Sequence, residues 1–164
     1  MEIRVATYED CRSLALLKRR VWETTYRGIY PDKKLDKYDI DLNENKFKDM
    51  IKQQSQKLFV VLDGYKIIGY MSCGKIMRAF DKHTHDIGLL YLAKEYQGKG
   101  IGLNLFQFAK NELKNQGVRE FIVSCNKYNL SAQQFYKKMG GKIIKVDEDN
   151  DDKSIPQVKF QFVK

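Results

Sequence analysis

Long apolar runs are what this sequence most plainly lacks. Across its 164 residues no stretch approaches the roughly 18 consecutive apolar residues of a membrane-spanning helix, which argues against a membrane protein. Cysteine is sparse too. Cys11, Cys73 and Cys125 are odd in number and widely spaced, with no CxxC pair to suggest a zinc site or redox couple, so they read as small reduced core residues. The opening Met1-Glu2-Ile3-Arg4-Val5 has none of the basic, apolar and small-residue zones of a secretory signal, which predicts a cytoplasmic protein. There is no block of five or more consecutive basic residues, as a nucleic-acid-binding arm would have. The net charge of +9 nevertheless asks for an anionic partner, whether nucleic acid, a membrane surface or a phosphate-bearing cofactor.

What is present is the composition of a soluble globular chain of one ordinary domain, residues 1–164. Glu2 to Ala6 alternate as a strand, and Thr7 with Asp10 forms a capping-box variant. A helix is predicted from Tyr8 to Tyr26 on the spacing of Leu14, Leu16, Leu17 and Val21, ended by Gly28 and Pro31. A weaker helical pattern covers Asn43 to Gln54. Leu58 to Leu62 and Ile67 to Met71 flank Asp63-Gly64, a strong hairpin signal. The polar stretch Arg78 to His85 reads as a loop, followed by a buried strand over Ile87 to Leu92. Leu103, Phe106, Phe108, Ala109 and Leu113 mark a long helix that stops near Gly117. Phe121 to Val123 is a strand, Ser131 to Met139 a short helix closed by Gly140-Gly141, and Ile143 to Val146 and Val158 to Val163 are the last strands. The acidic run Asp147 to Asp152 reads as a solvated connection. The order βααββ, βαβα, ββ predicts an α/β (α+β) fold with a mixed, mostly antiparallel sheet of six to seven strands and about four flanking helices.

The most informative segment is Gln97-Gly98-Lys99-Gly100-Ile101-Gly102, between a predicted buried strand and an amphipathic helix. Close glycines let the backbone approach a bulky anion, and the first helical turn offers unpaired N–H groups and the positive end of its dipole. A pyrophosphate suits that position. The loop is not a Walker A motif, because Lys99 precedes Gly100 and Ile101 follows it. Nor is it a dinucleotide fingerprint: Leu103 or Leu105 stands where a third glycine is required. An NTPase or nicotinamide enzyme is thereby disfavoured.

Gln97, Gly100 and Gly102 fit the pattern Gln or Arg, two residues, Gly, one residue, Gly or Ala, and in this the sequence resembles the GNAT superfamily of N-acetyltransferases. The preceding Leu90-Tyr91-Leu92 and the later block Asn129-Leu130-Ser131-Ala132-Gln133-Gln134-Phe135-Tyr136 extend the resemblance over roughly residues 86 to 141. Trp22 to Tyr26 with Ile29-Tyr30-Pro31 looks like the first-helix region of small bacterial members. One departure is Gly141, where the family usually has an aromatic.

The resemblance implies an acetyl-CoA-dependent transfer of an acetyl group to an amine, without metal, by a monomer or homodimer. It implies that the strand ending at Leu90 and Leu92 bulges and splays from the Phe121 to Cys125 strand, leaving a V-shaped gap for the pantetheine arm. An N–H near Leu92 would face the thioester oxygen, a donor commonly worth ~3 kcal/mol. Gln97, Gly98, Lys99, Gly100, Ile101 and Gly102 would hold the pyrophosphate, and Asn129 the arm, although Asn129 equally suits helix entry. Tyr136 is the candidate acid for the leaving thiolate, with the Phe135 and Tyr136 rings expected on different sides of their helix. Many relatives carry a glutamate as base at the position that corresponds to Gly88; Asp86, two residues earlier on the same strand face, is the candidate here, with His83, His85 and Glu23 as alternatives and the two histidines expected at the surface. Cys125 lacks a neighbouring histidine and is not read as a nucleophile. Lys99, Lys127, Lys137 and Lys138 lie near the segments assigned to the anionic coenzyme. Trp22, Tyr26 and Tyr30 are candidates for walling a cationic acceptor, a buried helix stripe being the plainer view of Trp22. Two other readings stand beside this one: a coenzyme-binding module without catalysis, and a basic nucleic-acid-binding domain.

Overall fold

The structure, a computed structural model, describes residues 1–148 and 155–163. Among them, seven strands form one mixed sheet: β1 (Glu2–Val5), β2 (Gln56–Asp63), β3 (Lys66–Phe80), β4 (His83–Leu92), β5 (Glu120–Asn126), β6 (Lys142–Val146) and β7 (Gln157–Val163). Their order is β1-β2-β3-β4-β5-β7-β6. Every neighbouring pair is antiparallel except β4 and β5. The helices are α1 (Cys11–Tyr26), α2 (Asp32–Asp36), α3 (Ile40–Gln53), α4 (Ile101–Asn115) and α5 (Leu130–Lys138).

The sheet separates two cores. On one face Leu105, Phe106, Ala109 and Leu113 of α4, with Tyr136 of α5, bury against Met71, Ile87, Val123 and Phe160. On the other, Leu14, Leu17 and Val21 of α1 and Phe47 of α3 cover Leu58, Val60 and Tyr70. Entry into α1 is fixed as its sequence suggests: the Thr7 N–H donates to the Asp10 carboxylate at 2.8 Å, and Arg4 donates two hydrogen bonds to the same group.

Several expectations need correction. The polar stretch Arg78 to His85 is not a loop but the far end of the β3–β4 hairpin, with Phe80 paired to His83; ladder bonds join backbone to backbone and do not depend on side-chain polarity. His83 is accordingly buried, with its ring stacked on Phe80 and Nε2 3.0 Å from Glu120. The one-turn helix α2 is too short to show periodicity, and α3 starts three residues before the predicted Asn43, where Asp39 accepts from the Leu42 N–H at 2.8 Å. Leu103 is exposed, so the buried stripe of α4 begins at Leu105. Of the acidic run, residues 149 to 152 lie outside the described residues.

Candidate active site

β4 and β5 begin as parallel neighbours and then part. Asp86 pairs with Ile122 and Ile87 with Val123, where the ladder stops. Against β3, Ser72 faces Leu89 while Cys73 faces Ile87, so Gly88 is the extra residue of a β-bulge, a feature that bends a strand. Leu90, Tyr91 and Leu92 then border an open gap. The splay expected of this strand pair is present.

The glycine loop closes one end of that gap. Gly98 and Gly100 have φ of 73° and 77°, left-handed values that glycine adopts without strain. Gln97 Nε2 donates to the Leu92 carbonyl at 3.0 Å, tying the loop to the strand end. Asn104 donates to the Gly100 carbonyl, so the N–H groups of Ile101, Gly102 and Leu103 precede the intrahelical ladder of α4 and are available to an anion. Gap and loop form a cavity of about 600 Å³ bordered by Leu90, Leu92, Gln97, Gly98, Gly100, Gly102, Asn129 and Lys138, among others. Two residues assigned to the coenzyme turn their side chains elsewhere: Lys99 lies over the Tyr96 ring at 5.6 Å, and Ile101 packs against the core. Asn129 is the N-cap of α5, its Oδ1 accepting from the Ala132 N–H at 3.1 Å.

A second cavity of about 240 Å³ shares Leu90, Tyr91, Asn129, Ala132 and Tyr136 with the first. Trp22, Tyr26 and Tyr30 form its aromatic wall, with Tyr26 and Tyr30 stacked at 4.5 Å and Trp22 edge-on to Tyr26 at 5.6 Å. Its polar side consists of Ser124, Asn126 and Gln157, brought together by the β5–β7 register, in which Asn126 faces Gln157.

Tyr136 stands where the two cavities meet. The expected division of labour on α5 is not observed, because Phe135 and Tyr136 both contact Phe106, at 6.0 and 6.4 Å between ring centres. Burial, with smaller contributions from Cys125 and Tyr26, pushes the Tyr136 hydroxyl far above its ordinary range, so it is protonated at neutral pH and able to donate. The Cys125 thiol, pushed up to about 11 by burial, is protonated as well and poorly nucleophilic.

Asp86 borders neither cavity, whereas Gly88 borders the smaller one. Gln56 Nε2 donates to the Asp86 carboxylate, and Gln56 Oε1 accepts from the Ser72 hydroxyl at 2.6 Å. Burial raises Asp86 to about 6, against the opposing effects of the Gln56 hydrogen bond and of Lys159. A Cβ on residue 88 would lie 2.6 Å from Gln56 Oε1 and 3.1 Å from Ser72 Oγ. A side chain there would collide with the groups that hold Asp86. The other candidate bases are placed differently: Glu23 is paired with Arg27, and His85 Nδ1 is 2.9 Å from the Thr84 hydroxyl. Gln56, Ser72, Ser124, Asn126 and Gln157 were not singled out by sequence, since strand register alone assembles them.

The sequence model of the Acetyltransferase (GNAT) family matches residues 19–141. The chain belongs to the GNAT family of acetyltransferases. Among curated relatives, it is 28% identical to the spermidine N(1)-acetyltransferase of Thermoplasma acidophilum over 152 residues, covering 90% of this chain and 91% of that one. It is 29% identical to the N-alpha-acetyltransferase 30 of Schizosaccharomyces pombe over 94 residues, covering 57% of this chain and 63% of that protein. The crystal structure of the PaiA N-acetyltransferase of T. acidophilum in complex with coenzyme A superposes with a TM-score of 0.74 at 25% identity, over 98% of each chain. The family, the splayed strands and the glycine loop agree on acetyl-CoA as cosubstrate and N-acetylation as the reaction. Nothing in these comparisons supports a non-catalytic module or a nucleic-acid-binding domain. Among the described residues no helix is long and apolar enough to cross a membrane, and no side-chain cluster could hold a metal ion.

Within the family frame the Gly141 departure has a local explanation. A Cβ there would lie 2.6 Å from the Phe162 ring and 2.9 Å from the Tyr136 carbonyl. Phe162, from β7, fills the corner.

Proposed function

We propose that the smaller cavity receives the acceptor, a primary amine of a small molecule, polyamine or protein, and that the amine attacks the acetyl thioester directly. The observation that carries this reading is that the two cavities share a wall at Leu90, Tyr91 and Tyr136. Cosubstrate and acceptor entering from opposite sides would meet there. The acetyltransferases of small and protein amines among the relatives support an amine acceptor.

The attack forms a C–N bond and breaks the C–S bond. An alkylammonium has a pKa of ~10.4, so supplying the neutral amine at pH 7 costs on the order of 4 to 5 kcal/mol without help. Asp86, raised by burial to about 6, takes the amine proton through a water relay past Gly88, which borders the cavity where Asp86 does not. Tyr136 gives its proton, or a hydrogen bond, to the departing thiolate. Gln97, Gly98, Gly100 and Gly102 with the first N–H groups of α4 hold the pyrophosphate, to which Lys99 and Ile101 contribute backbone. N–H groups on the β5-facing side of the end of β4, which pairs there with β3 alone, would receive the thioester. Residues 1–164 act as one catalytic domain, working in the cytoplasm as a monomer or homodimer; three free, buried cysteines suit a reducing compartment.

Calorimetric titration with acetyl-CoA, NADH and ATP tests the loop: micromolar binding of acetyl-CoA alone is expected. Tyr136→Phe tests the acid, with kcat reduced ~100-fold and acetyl-CoA affinity unchanged. A Tyr136→Phe enzyme as fast as the parent on every amine would remove that assignment.

A further inference from the structure

The polar side of the smaller cavity adjoins an ammonium that, among the described residues, has no direct ion-pair partner. Lys159 on β7 lies opposite Ser124 in the β5–β7 register, two pairs beyond Asn126 and Gln157. Its ammonium donates to the Ser124 hydroxyl at 3.2 Å, and Ser124 borders the cavity. The side chain is half-buried and its ammonium lies 5.0 Å from the Phe80 ring centre. Among the described residues Lys159 forms no ion pair, although two carboxylates are near enough to act on it. Each of those is engaged elsewhere. Asp147 is 3.4 Å from Lys145 and accepts from the Gln157 N–H at 3.1 Å, and Asp86 is held by Gln56. A partly desolvated ammonium whose direct protein partners are a hydroxyl and a ring face is placed to pair with an anion. The cavity lining itself contains no Asp, Glu, Lys, Arg or His among the described residues.

We infer that the acceptor is an amine that also carries a carboxylate, as an apolar α-amino acid does, with Ser124 and Lys159 receiving the carboxylate and the Trp22, Tyr26 and Tyr30 wall receiving the apolar body. The inference rests on the assignment of this cavity to the acceptor. A polycation such as a polyamine is the opposite choice: its distal ammonium groups would meet Lys159 rather than a carboxylate.

The test compares matched acceptors with and without the acid group: phenylalanine with 2-phenylethylamine, tyrosine with tyramine, leucine with isoamylamine, and spermidine alongside. Each is assayed with acetyl-CoA on the parent, Lys159→Met and Lys159→Arg enzymes. Comparing each pair between enzymes cancels the different basicity of the two amines. Lys159→Met is expected to lower the kcat/KM ratio of acid to amine about tenfold through KM for the acid, any effect of the lost charge on Asp86 being common to both acceptors and cancelling in the ratio, and the ratio is restored in Lys159→Arg. An unchanged ratio in Lys159→Met, or spermidine as the best acceptor of the parent, overturns the carboxylate inference and leaves the acetyltransfer reading intact. If the parent binds acetyl-CoA and acetylates no amine of any set, the assignment of the cavity to an acceptor falls, and this inference with it.

Discussion

The coenzyme side and the proposed acceptor side of this molecule are built from different materials. The coenzyme side is backbone: a bulged strand end, two glycines in left-handed conformations and the first turn of α4, all within residues 88–104. The acceptor side is side chains from distant segments, Trp22, Tyr26 and Tyr30 near one end of the chain, Ser124 and Asn126 on β5, Gln157 on β7. Backbone geometry depends on where glycines, caps and strand ends fall and tolerates most side chains. A wall of side chains can change residue by residue without disturbing the fold. One side can thus keep a constant ligand while the other is free to choose.

The largest expected effect comes from Asp86, which the proposed mechanism assigns to the acceptor side and which lies in the sheet. Asp86→Asn is expected to lower kcat/KM for the amine by ~100- to 1000-fold while acetyl-CoA affinity measured by calorimetry stays within about twofold. In the parent enzyme kcat/KM should fall as pH drops through about 6, because protonation removes the base, and the variant should lack that limb. Stability should move the other way. The folded-state value lies above the ordinary 3.8, so folding favours the neutral acid and stability is lost as pH rises from about 4 through about 6. At pH 7 the asparagine relieves at most ~3 kcal/mol, less for a group partly open to solvent. A variant that loses activity and coenzyme binding together would erase the division between the two sides.

A smaller effect is expected where the two sides join. Gly141 follows α5 and touches both the Tyr136 carbonyl and the Phe162 ring. Gly141→Ala must move backbone or a packed ring, a change of about 1–3 kcal/mol, read as a lowered Tm. If Tyr136 shifts with it, kcat falls while the acetyl-CoA Kd changes little. If the Kd rises as much as kcat falls, α5 serves the coenzyme cavity more than the junction.

What could be read from the sequence follows the same line. The loop from Gln97 to Gly102, the α5 block from Asn129 to Tyr136 and the succession of strands along the chain are local patterns, and all appear in the structure where expected. The far end of the β3–β4 hairpin was hidden because Arg78 and Asp81 to His85 are polar and its pairing is made by backbone. The Gln56–Asp86–Ser72 contacts join three strands at separations of 16 and 30 residues, so no spacing rule reaches them. Lys159 is one lysine among many in a basic chain, and no spacing rule marks it as the one bonded to the cavity residue Ser124. Gly88 is intermediate: the absence of the expected glutamate is visible in sequence, but the reason, Gln56 2.6 Å from where a Cβ would sit, is not.

The finest test separates two ways a glycine can serve the coenzyme. Gly100 has φ of 77° and nothing within 4 Å of a Cβ position, so Gly100→Ala meets no clash and only the cost of a left-handed residue, about 1–2 kcal/mol. That cost falls on the loop conformation that presents the α4 N–H groups, and acetyl-CoA should bind about tenfold more weakly. Gly102 has an ordinary helical conformation, and its Cβ would rest 3.6 Å from the Phe135 ring, a normal contact. Gly102→Ala should therefore leave acetyl-CoA affinity within about threefold and stabilise α4 slightly, by up to ~1 kcal/mol. If Gly102→Ala proves the more damaging of the two, the loop works by admitting the phosphates close to α4 and not by holding a left-handed turn. The coenzyme side would then depend on side-chain volume after all, and the contrast with the acceptor wall would be one of degree.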